Sequence, residues 1–84
     1  MSHKLISCAI HDYIEIACTF GYEIKLEAFS GSVIFGNAKT TTTSNDKKEY
    51  LILKSQQKIT KIELIEVKIM TAITANPYFD IIHF

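Results

Sequence analysis

The sequence predicts a mainly β domain with one N-terminal α-helix, in which five to six short antiparallel strands form a small barrel capped by that helix. Three observations carry this expectation. Apolar residues recur at a helical period up to Gly21 and alternate with a period of two after it. The alternation then slips once, at Leu64–Ile65.

The helix is expected over about residues 9–20. Ile10, Ile14, Ala17 and Cys18 fall at i, i+4, i+7 and i+8, with Tyr13 at their edge, and form an apolar stripe. His11, Asp12, Glu15 and Thr19 lie off the stripe. Ser7 is placed to cap the first turn, and Gly21 to end the last one in a left-handed conformation.

The barrel is expected over about residues 22–84. Tyr22, Ile24, Leu26 and Ala28 alternate with Glu23, Lys25, Glu27 and Phe29, as in a half-buried strand. SGS at 30–32 is a turn, and VIFGNAK pairs back as the second strand of a hairpin. Gly36 within it marks a bulge or tight bend. TTTTSNDKK (40–48) reads as a polar loop whose threonines can extend the strand before it. EYLILK is a third strand, SQQ a turn and KITKIEL a fourth strand. Ile62 and Leu64 share one face, whereas Ile65, Val67 and Ile69 take the opposite parity; a short helical turn absorbs the change. KIMTAIT gives a fifth strand, ANP breaks it, and YFDIIHF is a candidate terminal strand.

At 84 residues with 48% hydrophobic and 21% charged composition, residues 1–84 are expected to be one domain that folds without staples. The longest apolar run falls well short of the roughly 18 residues of a membrane span. The first ten residues lack a signal core and a small-residue cleavage site. A soluble, cytoplasmic, monomeric protein with no membrane association is the expectation. Formal net charge is zero, with no arginine. The charges are uneven. Residues 1–36 set Lys4 and Lys25 against Asp12, Glu15, Glu23 and Glu27, whereas residues 37–68 hold seven lysines against Asp46, Glu49, Glu63 and Glu66. The acidic half contains the helix, which favours a basic partner there.

The stretch CAIHDYIEIAC (8–18) raises three chemistries. On one helix, Cys8 and Cys18 would stand about 15 Å apart, beyond the roughly 7 Å between Cα atoms that a disulfide tolerates. No C-x-x-C or paired histidine supplies a zinc site. Both cysteines are therefore expected as reduced thiols packed in the core, with neither metal nor cofactor. Asp12 and Glu15, three apart, share a helical face. Acid–base catalysis would need a pocket that separates their pKa values, which a surface helix lacks. His11 has no serine or cysteine partner at a recognisable spacing, and three glycines make no phosphate loop. An enzyme is not expected; a merely solvated acidic face is the plain alternative to a binding face. Lys47, Lys48, Lys54, Lys58 and Lys61 form a candidate basic strip with Tyr50 and Phe35 as stacking platforms. Asp46, Glu49 and Glu63 interrupt it, and the missing arginines deprive it of bidentate phosphate contacts, so direct nucleic-acid binding is not favoured.

These residues resemble the Rho-binding antiterminator (Rof) family of bacteria, whose N-terminal helix has a pattern like C-D-D-Y-D-x-x-E-x-A-C. Cys8, Asp12, Glu15, Ala17 and Cys18 stand at the same spacing, and LEAFSGSVIFGNA, KKEYL and KIELIEV are similar to later family stretches. Ala9 and Ile10 replace two aspartates of the pattern, His11 its tyrosine, and Ile65 a further aspartate. The resemblance implies an Sm-like barrel that binds the termination factor Rho and blocks its primary RNA-binding region. It also implies that Asp12 and Glu15, with His11 beside them, contact a basic Rho surface. The polar loop before E-Y-L, around Ser44, Asn45 and Lys47, falls on the second contact region. The alternative is an Sm-like module that binds RNA through its lysines.

Overall fold

The structure is a computed structural model that describes residues 6–84. Residues 1–5, where no leader was expected, lie outside the described residues. Helix α1 runs Cys8–Phe20. Ser7 caps it by accepting a hydrogen bond from the Ile10 amide at 3.2 Å. Gly21 ends it in the left-handed conformation, at φ 64° and ψ 37°, where only glycine avoids a Cβ penalty. Ile14 and Ala17 are its buried residues, and they seat the helix on the sheet.

Six strands follow: β1 Glu23–Ala28, β2 Val33–Thr43, β3 Glu49–Ser55, β4 Lys58–Glu63, β5 Val67–Ala72 and β6 Ile81–His83. They form one antiparallel sheet in the order β4-β3-β2-β1-β5-β6. The one-turn 3₁₀ helix Leu64–Glu66 joins β4 to β5, where the change of parity called for a helical turn. Because three residues span the gap between β4 and β5, the sheet must curl until its ends approach each other. The expected barrel nevertheless does not close. Strand β5 gives one edge to β1 and the other to β6, so β4 does not pair with it, and β4 and β6 remain the two edges of the sheet.

The inner face carries the core: Ile24 and Leu26 of β1, Ala38 of β2, Leu51 and Leu53 of β3, Leu64, and Val67 and Met70 of β5. Two local expectations need correction. The bulge in β2 lies at Lys39, skipped between the Ala38–Leu53 and Thr40–Ile52 pairs, and not at Gly36. Gly36 instead admits a close approach: a Cβ there would stand 3.1 Å from the Leu53 Cβ and 3.2 Å from the Lys54 carbonyl oxygen. Val67 and Met70 are both buried although three apart, because Lys68 is passed over between the Glu27–Ile69 and Ala28–Val67 pairs; Ile65 is exposed. The threonines extend β2 to Thr43, as their place after the second strand allowed, which leaves a loop of 44–48.

Candidate functional site

The outward face of α1 presents Asp12, Glu15 and Thr19, all exposed. Their spacing of three and four residues lines them along one crest, opposite the buried Ile14 and Ala17. Neither carboxylate has an ion-pair partner among the described residues. The crest is therefore an uncompensated negative ridge.

A shallow groove lies on each side. One, of about 420 Å³, is lined by Asp12, Glu15, Ile16, Thr19 and Phe20. The other, about 350 Å³, runs between helix and sheet and is lined by Glu15, Cys18, Thr19, Thr40 and Thr41. Phe20 is held in place by two stacked neighbours. Tyr22 lies 5.6 Å away at 18° and Tyr78 5.9 Å away at 16°. Tyr22 and Tyr13 in turn contact the buried Phe79, which ties the helix to the segment before β6.

His11 does not stand free beside Asp12. Its Nε2 lies 2.9 Å from Oε2 of Glu49, the first residue of β3. Glu49 follows directly on the loop 44–48, so this contact joins the helix to the loop and makes the two predicted regions neighbours. Within the loop the three predicted residues play different parts. Ser44 is its internal tie: its hydroxyl accepts from the Lys48 amide at 3.1 Å and donates to the Asp46 carboxylate. Its backbone amide also donates to the Lys48 carbonyl at 2.9 Å. That hydroxyl hydrogen bond, with the Lys48 ammonium a smaller contributor, holds the Asp46 carboxyl below the ordinary carboxylate range. Asn45 is exposed, and Lys47 is exposed with φ 65°. Asp46 and Lys48 are exposed as well, so the loop offers all four side chains to solvent.

The expected core pair is half met: Cys18 packs against the core, whereas Cys8 does not. Both are free thiols, but Cys8 is exposed in the first turn and Cys18 is half-buried in the groove beside Thr40. Burial, and secondly the Glu15 carboxylate, push the Cys18 thiol above its usual pKa. No group of three or more His, Cys, Asp or Glu that could hold a metal ion occurs among the described residues. Nor is any described helix long and apolar enough to cross a membrane.

Two of the five lysines of the candidate strip are engaged within the protein. Lys61 lies with its Nζ 4.3 Å from the Tyr50 ring centroid, which covers a ring face a base would need. Lys48 is 3.7 Å from Asp46. Sequence reasoning did not assign Ile16, Phe20, Thr40, Thr41 or Glu49 to the site. Ile16 and Phe20 were legible in principle, since they stand four and eight residues after Asp12 on one side of the helix. Nothing local in the sequence connects Glu49 to a histidine 38 positions earlier.

Comparison with known proteins agrees with this architecture. A family model described as "Modulator of Rho-dependent transcription termination (ROF)" matches residues 5–84. Among solved structures, YaeO bound to magnesium, from Vibrio cholerae O395, superposes with a TM-score of 0.80 at 36% sequence identity, over 87% of this chain and 95% of that one. No curated protein matches at a significant level.

Proposed function

The chain belongs to the family of modulators of Rho-dependent transcription termination, and from that premise we propose that it binds Rho and inhibits termination by blocking Rho's primary RNA-binding region. The observation that carries this reading is the crest of Asp12 and Glu15, exposed and unpaired with any cation among the described residues. A surface that binds RNA must neutralise phosphates, so it is rich in Lys and Arg. An acidic ridge on a small rigid domain competes for the same charges. The loop supports the ridge through Asn45 and Lys47, with Ser44 shaping it, while the His11–Glu49 contact fixes loop against helix.

Inhibition of this kind is steric and electrostatic, and needs no catalysis, metal or cofactor from this chain. It also places the protein in the cytoplasm, where Rho meets nascent transcripts. Direct RNA binding through the lysines is the less supported reading, because Lys61 and Lys48 are already engaged and no arginine is present.

The test is capture of purified Rho by the immobilised domain, with and without an RNA ligand of Rho. The reading predicts capture that RNA suppresses and that falls with added salt, as charge–charge contacts are screened beyond about 8–10 Å. Retention of RNA by the domain alone, without capture of Rho, would replace this reading with the second one.

A further inference from the structure

Glu15 and Thr19 belong to both grooves that flank the helix, whereas Asp12 belongs to one. We propose that two long basic side chains of the partner straddle this crest, one in each groove, with Glu15 as the carboxylate that both reach. The inference rests on the Rho-binding reading and extends it, by adding Ile16, Phe20, Thr40 and Thr41 to the contact surface and by ranking Glu15 above Asp12.

The grooves suit such side chains in both their parts. Lysine and arginine lay an apolar stem along apolar surface and keep a charged head at its polar end. In the first groove Ile16 and Phe20 provide the apolar wall, and Asp12 and Glu15 the anionic end. Phe20 is more than half exposed, at 58%, yet makes stacked contacts with both Tyr22 and Tyr78. It is thus already ordered, and docking against it costs little further side-chain entropy.

The second groove is built differently. Its floor is the half-buried Cys18, and its far wall is Thr40 and Thr41 of β2, just beyond the bulge at Lys39. The Thr40 hydroxyl donates to the Thr41 carbonyl at 3.3 Å, which leaves its oxygen lone pairs to accept. A planar guanidinium fits this wall better than an ammonium. It can hydrogen-bond the Glu15 carboxylate through two N–H groups and the threonine oxygens through the others. Charge complementarity favours the same occupant, since no cation pairs with Asp12 or Glu15 among the described residues.

The experiment is an amide chemical-shift titration of the labelled protein with a blocked hexa-arginine peptide, followed by affinity measurements on Rho. The proposal expects shifts at Glu15, Thr19 and both groove walls, Phe20 on one side and Thr40 and Thr41 on the other. Glu15→Gln should lower affinity for peptide and for Rho by about tenfold or more, and Asp12→Asn by about threefold, as loss of charged hydrogen bonds implies. Thr41→Val, which keeps a β-branched residue in the strand, should weaken binding several-fold with the fold unchanged. Shifts confined to one groove, or equal losses for the two carboxylate variants, would overturn the straddled crest while leaving Rho binding in place. Shifts in both grooves with no binding to Rho would uphold the side-chain clamp and remove Rho as its partner.

Discussion

His11 on the helix and Glu49 at the head of β3 meet at 2.9 Å, across 38 positions of sequence. The contact is the side-chain link between the acidic crest and the loop 44–48, and it sets how the two present themselves together. Both side chains are more than a third exposed, so the pair contributes no more than about 1 kcal/mol to folding. Its main consequence is positional. A double-mutant cycle of His11→Ala and Glu49→Ala, read by urea denaturation, should give a coupling within that limit. Each single variant should instead broaden or shift the amide resonances of residues 44–48. Unchanged loop resonances would mean that the contact does not position the loop.

The two thiols should react at different rates. Cys8 is exposed, whereas Cys18 is half-buried and its pKa is raised by burial and then by Glu15. The thiolate is the reactive form, so iodoacetamide near pH 8 should label Cys8 first and Cys18 several-fold more slowly. Unfolding in urea should equalise them. Peptide mass mapping over time reads this directly, and equal native rates would place Cys18 at the surface.

The loop makes a prediction in acid. The Ser44 hydroxyl, the larger cause, and Lys48 lower the Asp46 pKa in the folded state. A carboxyl whose folded pKa lies below its unfolded value adds stability above the unfolded pKa, and loses it as pH falls through the folded one. The loop should therefore loosen only below about pH 4, where carboxylates protonate. Ser44→Ala should raise the Asp46 titration midpoint, as followed by carboxyl-carbon chemical shifts. An unmoved midpoint would show that the hydroxyl is not its determinant.

In the core, Gly36 tests the close approach of β2 and β3. Gly36→Ala puts a methyl 3.1 Å from the Leu53 Cβ and 3.2 Å from a backbone oxygen, so a neighbour must move. Overpacking of this kind costs about 1–3 kcal/mol, measurable as a lowered urea midpoint at unchanged slope. No loss of stability would show that the strands have room to separate.

What was legible in the sequence divides along physical lines. The helix and its two ends follow from local chemistry. Ser7 can satisfy an orphan amide, Gly21 can adopt positive φ, and the stripe of Ile14 and Ala17 has one place to go. Strands β1 to β5 follow from alternation, and the 3₁₀ turn from the parity change at Leu64. Closure was not legible, because it depends on which strand claims the second edge of β5, a choice made by three residues at the far C-terminus. The bulges at Lys39 and Lys68 were missed for a similar reason, since a passed-over residue shows only in the partner strand. The crest at Asp12 and Glu15 was visible as helix residues off the apolar stripe. Its grooves were not, since Thr40 and Thr41 reach the helix only through the tertiary fold.

The central claim is that the acidic crest keeps RNA off Rho. It is tested most directly by adding the domain to Rho with a labelled RNA and following the bound RNA by fluorescence anisotropy, for the wild type and for Asp12→Lys combined with Glu15→Lys. Both positions are exposed and off the buried stripe, so the double variant should keep its melting temperature within a few degrees, as surface changes usually do. The wild type should displace RNA from Rho in a dose-dependent and salt-sensitive manner, and the double variant should not. Displacement by both proteins alike would contradict the account, as would no displacement by the wild type at high concentration and low salt.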